Sequence, residues 1–124
     1  MIKLKKSVLE LVNKAKKEIN NLTVEECIRL HPYENNLFID LRDIREIEKS
    51  EWVLRDRNVP RGILEFRVDL KSPYHKDFFN KNFHFTFYCT FVWRCMLATR
   101  ATNEIGLLNT VQYLRRIYSM VIVK

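Results

Sequence analysis

Val8, Leu11, Val12, Ala15 and Ile19 return at steps of three and four residues, the spacing of one helix face, and predict an amphipathic first helix behind Ser7. Ser7 and Glu10 form a Ser-x-x-Glu capping box at its start, and Thr23 with Glu26 repeats that signal. The second box predicts a short helix with Cys27, Ile28 and Leu30 inward, closing near Pro32, so Cys27 reads as a core residue. Leu37 to Leu41 is a short, nearly continuous apolar run, as in a strand covered on both faces. Asp43 to Lys49 reads as helical. From Ser50 to Asn80 the pattern is irregular and holds Pro60, Gly62 and Pro73, which predicts a long connection with short helical turns, anchored by Ile63, Leu64 and Phe66. His84 to Tyr88 is aromatic and alternating, a strong strand signal. Leu97, Ala98, Ala101 and Ile105 fit a helix that Gly106 terminates, and Thr110 to Leu114 fits one more strand. Strands that alternate with helices imply an α/β domain with a mainly parallel sheet. Ligands of such sheets sit beyond the carboxyl ends of the strands.

A chain of 124 residues fits one domain spanning 1–124. Its 47% hydrophobic and 30% charged residues exclude a disordered or fibrous chain. Twenty-two Lys and Arg against fifteen Asp and Glu leave a net charge of +7, gathered at Lys3, Lys5, Lys6, Lys14, Lys16 and Lys17 and at Arg115, Arg116 and Lys124. That surplus favours encounter with anions, and a solvated basic surface is its simplest meaning; neither nucleic acid nor a membrane is the expected partner. Glu10, Asn13 and Lys14 interrupt the first apolar positions, so no secretory run exists, and nothing approaches the roughly 18 apolar residues of a transmembrane helix. Cys27, Cys89 and Cys95 lack a Cys-x-x-Cys pair and a companion His cluster, so no disulfide framework and no metal site is signalled. Three free thiols suit a reducing, cytoplasmic location. The oligomeric state leaves no mark in the pattern.

Cys89 falls between the aromatic strand and the following helix. That junction lies at the carboxyl edge of the sheet and faces the unpaired N–H groups of a helix start, which favour a thiolate. Lowering a thiol pKa by about two units takes roughly 2.7 kcal/mol. A helix terminus supplies up to about 2 kcal/mol, so loop amides must add to it. A purely structural cysteine is the alternative at this position. Cys95 reads either as a partner for an oxidised Cys89 or as a partly buried residue of the first helical turn.

Asp40-Leu41-Arg42-Asp43 with Arg45 and Glu46, Val59-Pro60-Arg61-Gly62 with Leu64-Glu65-Phe66, Ser72 to Lys76, and Tyr88-Cys89 with Trp93-Arg94 occur in that order. In these features the stretch from Leu22 to Leu114 resembles the single-domain rhodaneses, a sulfurtransferase family. The resemblance implies a rhodanese-like α/β core over 22–118, a central mainly parallel sheet flanked by helices on both faces, with 1–21 as an N-terminal helical extension. It implies a catalytic Cys89 that takes the outer sulfur of thiosulfate or a similar donor, holds it as a persulfide, and passes it to cyanide or a thiol. No cofactor is implied. Thr90, Phe91, Val92 and Trp93 would form the substrate-binding loop, Arg94 would close it and hold the anionic donor, and Asp40 and Arg42 would support it from beneath. In that family the loop has six residues, here Cys89 to Arg94, whereas related phosphatases place the arginine one position later, where this chain has Cys95. Sulfur transfer is therefore preferred to phosphate hydrolysis. Val92 stands where the family has a loop glycine, and a β-branched residue forced to positive φ costs roughly 1 to 3 kcal/mol. A catalytically weak or inactive rhodanese-fold binding module is accordingly the alternative function.

Overall fold

A computed structural model describes residues 2–19, 21–22, 25–26, 29, 36–49, 52–53, 56–80, 82–89, 92–107, 110–113 and 122–123. The first helix, α1 (Val8–Glu18), is capped by Ser7, whose hydroxyl accepts the Glu10 N–H at 3.1 Å. Strands β1 (Asn21–Leu22) and β2 (Asn36–Asp40) follow, then helix α2 (Ile44–Glu48). Two short strands, β3 (Trp52–Val53) and β4 (Arg57–Asn58), precede a 3-10 turn (Arg61–Ile63) that runs into α3 (Leu64–Val68). The chain then forms β5 (His84–Tyr88), α4 (Val92–Ile105), β6 (Thr110–Tyr113) and β7 (Ile122–Val123).

Among the described residues β1, β6, β5, β2 and β4 form one sheet in that spatial order, and every pairing is parallel. Strand β3 pairs antiparallel with β7 in a separate ribbon. At the centre of the sheet Asn36 to Asp40 match His84 to Tyr88 residue for residue. The period-2 geometry of a strand then separates two layers. Leu37, Ile39, Phe85 and Phe87 enter one core with Leu64 of α3 and with Cys95 and Ala98 of α4. Phe38, Asp40, Thr86 and Tyr88 alternate with them and are buried too, so both faces of the central strands are covered. Ile39, Leu64, Phe85 and Phe87 are wholly buried, each worth about 1.5 to 3 kcal/mol relative to exposure.

Helix α1 packs on the far side of α4 through Val12, Ala15, Ile19 and Met96, and a Glu18–Arg100 ion pair at 2.8 Å closes that seam. Val8 and Leu11, predicted to share the inward stripe, are exposed beyond the end of this contact. Among the described residues no helix is long and apolar enough to cross a membrane.

The central strand, α2 and the α4–Gly106 unit follow the sequence pattern. Gly106 takes φ +119° just past the end of α4, and the Leu107 N–H reaches the Thr102 carbonyl at 2.9 Å. The region from Ser50 to Asn80 differs from the expected connection, because Arg57 and Asn58 pair with Ile39 and Asp40 as an edge strand. Two residues carry no periodicity. Leu64 is buried and Ile63 packs on the core as expected, but Phe66 is 54% exposed and stacks edge-on against Tyr74 at 6.4 Å instead. In this five-residue helix Leu64 and, one turn on, Val68 face the core, and Phe66 falls on the other side. Thr23, Cys27, Ile28, Leu30, Pro32 and Leu114, which carried other sequence expectations, lie outside the described residues.

Candidate active site

The carboxyl edge of the sheet is built from the ends of β2, β4 and β5. Parallel register carries hydrogen bonding past the strands: the Leu41 N–H donates to the Tyr88 carbonyl at 3.0 Å, and the Val59 N–H to the Asp40 carbonyl at 2.9 Å. Asn58 ties the turn after β2 from the side, its amide donating to the carbonyls of Asp40 and Arg42 at 3.0 Å each. Asp40 and Arg42, expected to support the loop, form a buried ion pair. Arg42 donates Nε and NH2 to the Asp40 carboxylate at 2.9 Å each, its own N–H adds a bond at 3.0 Å, and both side chains are 1% exposed. Such burial requires a near-complete set of partners, and the fork geometry supplies it. The guanidinium also lies 5.8 Å from the centre of the Tyr88 ring.

Asp43 begins α2 with a capping box. Its carboxylate accepts the Arg45 N–H at 2.8 Å while Glu46 Oε2 accepts the Asp43 N–H at 2.9 Å. That places Glu46 toward α4, where Arg94 donates NH1 and NH2 to its two oxygens at 2.9 and 2.7 Å. The guanidinium predicted to hold an anionic donor is thus gripped by a carboxylate, with both residues about one-third exposed at 34% and 37%. The Arg94 hydrogen bonds hold the Glu46 carboxyl at about 2, far below its usual range. Reciprocally, Glu46 first and the two cysteine sulfurs after it raise the pKa of Arg94.

Cys89 follows β5 directly and is 2% exposed, among the side chains of the main core. The strand above it places the sulfur on the α4 face, opposite Tyr88 and Asp40. Thr90 and Phe91 of the expected loop lie outside the described residues. Val92 and Trp93 are already helical, the first two residues of α4, and Arg94 is the third. Helical backbone has negative φ and accepts a β-branched residue, so the positive-φ cost expected at Val92 does not arise. Trp93 points to solvent. Cys95, predicted to be partly buried, is fully buried. Burial first, and then the neighbouring Cys89 thiol, push the Cys95 thiol well above its ordinary pKa.

On the Asp40 side of the sheet edge, a cavity of about 250 Å³ is lined by Asp40, Ile44, Ile47, Asp56 and Asn58. The Tyr88 hydroxyl donates to the Asp56 carboxylate. Burial first, and then the negative charge of Asp40, raise Asp56 to about 7, against the opposing pull of Arg42 and Arg57. Among the described residues no group of His, Cys, Asp and Glu is arranged to hold a metal ion.

The sequence reading missed Glu46 as the holder of Arg94, although the Asp43-x-x-Glu46 capping spacing was there to be seen. It also missed Asp56, for which no local signal exists.

The sequence matches no protein-family model and no curated protein. Solved structures do match. A protein of unknown function from Rhodopseudomonas palustris, described as a possible tyrosine phosphatase, is 28% identical over 96% of this chain and 92% of its own, with a TM-score of 0.91. A rhodanese-related protein from Thermoplasma volcanium is 16% identical over 84% of this chain and 97% of its own, with a TM-score of 0.66. The human single-domain sulfurtransferase is 18% identical over 75% of this chain and 87% of its own, with a TM-score of 0.64. At the identities of the last two, the likeness is one of fold.

Proposed function

We propose that this chain, whose fold is rhodanese-like, is a sulfurtransferase in which Cys89 carries sulfur as a persulfide. The observation that carries this reading is the place of Cys89 at the carboxyl end of central strand β5, three residues before the start of α4. In the first step the Cys89 thiolate attacks the outer sulfur of thiosulfate. The S–S bond of the donor breaks and sulfite leaves with the electron pair. In the second, cyanide or a thiolate takes the outer sulfur and the Cys89 thiolate is restored. Neither step needs a metal or an electron carrier. Arg94, held by Glu46, stabilises negative charge at the loop and fixes its end, while Asp40 and Arg42 hold the turn beneath. Thr90, Phe91, Val92 and Trp93, which separate Cys89 from Arg94 in the sequence, are the residues assigned to donor binding.

The depth of Cys89 and the engagement of Arg94 by Glu46 favour a second reading, a rhodanese-fold module that binds a partner and turns over weakly or not at all. Incubation with thiosulfate followed by intact-mass measurement separates the two. Sulfur transfer gives one added sulfur that cyanide removes and that Cys89→Ser abolishes. Intact free thiols with no added sulfur would leave the binding module. The likeness to the described possible phosphatase adds one control. Phosphate released from an aryl phosphate, and lost in Cys89→Ser, would replace both readings, against the six-residue spacing from Cys89 to Arg94.

A further inference from the structure

The first helix is covered over only part of its length. Val12, Ala15 and Ile19 seat its second half against Met96, and the Glu18–Arg100 ion pair at 2.8 Å ties that half to α4. Val8 and Leu11 continue the stripe toward the N-terminus, past the end of the contact. With Ile2, Leu4 and Leu9 they leave five large aliphatic side chains in solvent, from 36% exposed at Leu11 to 84% at Ile2. A single exposed apolar residue needs no explanation, but five within residues 2–11 make a patch.

The charge around that patch is one-sided. Residues 2–18 hold Lys3, Lys5, Lys6, Lys14, Lys16 and Lys17, all exposed, against Glu10 and Glu18, and Glu18 is engaged by Arg100. Lys16 and Lys17 lie in the last turn of α1, where the helix dipole favours cations. Lys3, Lys5 and Lys6 precede the Ser7 cap, at the end where the dipole disfavours them, so helix stability does not account for these three. Composition narrows the partner. Residues 2–19 contain neither arginine nor an aromatic side chain, the groups that stack on bases, which argues against single-stranded nucleic acid. A second copy seated face to face on the same patch would set lysines against lysines. An anionic lipid surface accepts both chemistries, its headgroups meeting the lysines and its acyl boundary the aliphatic side chains.

We infer that residues 2–11 are a docking edge that lays the protein on an anionic lipid surface, with Ile2, Leu4, Val8 and Leu9 entering the headgroup layer and Lys3, Lys5 and Lys6 at the lipid anions. This departs from the expectation of no membrane partner: a domain can absorb the whole apolar face of a helix, and here it absorbs only the second half. The attachment is peripheral, since α1 has eleven residues and among the described residues no helix is long and apolar enough to cross a membrane. It does not depend on whether Cys89 transfers sulfur.

The test is co-sedimentation of the full chain with vesicles of phosphatidylcholine containing about a quarter phosphatidylserine, against phosphatidylcholine alone. Binding is expected with the anionic vesicles only, and should weaken as salt rises. The triple variant Lys3→Gln, Lys5→Gln, Lys6→Gln should bind about a hundredfold more weakly, roughly fivefold for each lysine. The double variant Leu4→Gln, Leu9→Gln should lose about tenfold or more. Every substituted side chain is exposed, so both variants should keep the wild-type Tm. Insertion is read separately from Leu9→Trp, as the fluorescence difference from wild type, whose Trp52 and Trp93 supply the background. A blue shift on anionic vesicles, with quenching by brominated acyl chains, is expected. No sedimentation with anionic vesicles, sedimentation that neither variant reduces, or an unshifted Leu9→Trp spectrum overturns the inference. A dimer in lipid-free solution that the double variant dissolves would give the patch to a second copy. Lysine-dependent retention of RNA without vesicle binding would give it to nucleic acid, and either result overturns the inference as well.

Discussion

Replacing Asp56 by asparagine should make the protein more stable at neutral pH and leave it unchanged in acid. The folded chain raises this carboxyl from an ordinary 3.8 to about 7, chiefly because burial penalises the anion and secondarily because Asp40 repels it. A rise of roughly three units, at about 1.4 kcal/mol per unit, sets a ceiling of about 4 kcal/mol. Asp56 is half-buried and borders a cavity, so solvent screening reduces that to about 2 to 3 kcal/mol. The direction follows from proton counting. Between pH 3.8 and about 7 the folded protein retains a proton that the unfolded chain has released, so folding weakens steadily as pH rises through that window. Below it both states are protonated, and above it both are ionised. Asparagine has no proton to lose yet still accepts from the Tyr88 hydroxyl. The variant-minus-wild-type difference in unfolding free energy, from urea titrations at each pH from 4 to 8, should start near zero and grow in favour of Asp56→Asn until about pH 7. A difference that stays constant with pH, or that grows in favour of wild type, would refute the account of Asp56 as a carboxyl kept neutral by its surroundings.

Glu46→Gln tests the opposite case, a carboxyl depressed to about 2 from 4.5 by Arg94. Its contribution is complete above pH 4.5 and disappears as pH falls toward 2. With 37% of the side chain exposed, screening leaves about 1 to 2 kcal/mol, so Tm at pH 7 should fall by roughly 4 to 8 °C and the gap should close near pH 2. Asp40→Asn strands the Arg42 guanidinium, itself 1% exposed, and should cost about 3 to 5 kcal/mol in urea denaturation while moving the Asp56 titration downward. A loss below 1 kcal/mol would contradict the buried fork. Gly106→Ala introduces a side chain at φ +119° with open space around it, so its cost is backbone strain of about 1 to 2 kcal/mol, measurable as a lower urea midpoint with unchanged slope.

Short-range order was legible from the chain alone. The alternation in His84 to Tyr88 and the apolar spacing closed by Gly106 marked β5 and α4, and the Asp43-x-x-Glu46 box fell where α2 begins, because strand period, helix period and capping act over at most four residues. From those elements the parallel α/β order and the place of Cys89 at a strand-to-helix junction followed. Phe66 showed the limit: its neighbours suggested an anchor, but the five-residue helix turns Leu64 and, one turn on, Val68 toward the core. Arg57 and Asn58 became a strand only because β2 offered them an edge. Tertiary structure also decided every charged and thiol contact at the site. Glu46 meets Arg94 across 48 positions, and Asp56 meets Tyr88 across 32. The alignment of Asp40 with Tyr88 brings the repelling carboxylate of Asp40 near Asp56. Cys95 and Cys89 enter one core cluster from α4 and the end of β5. Ionisation depends on desolvation and on charges within a few ångströms, and those distances are set when the sheet closes its register.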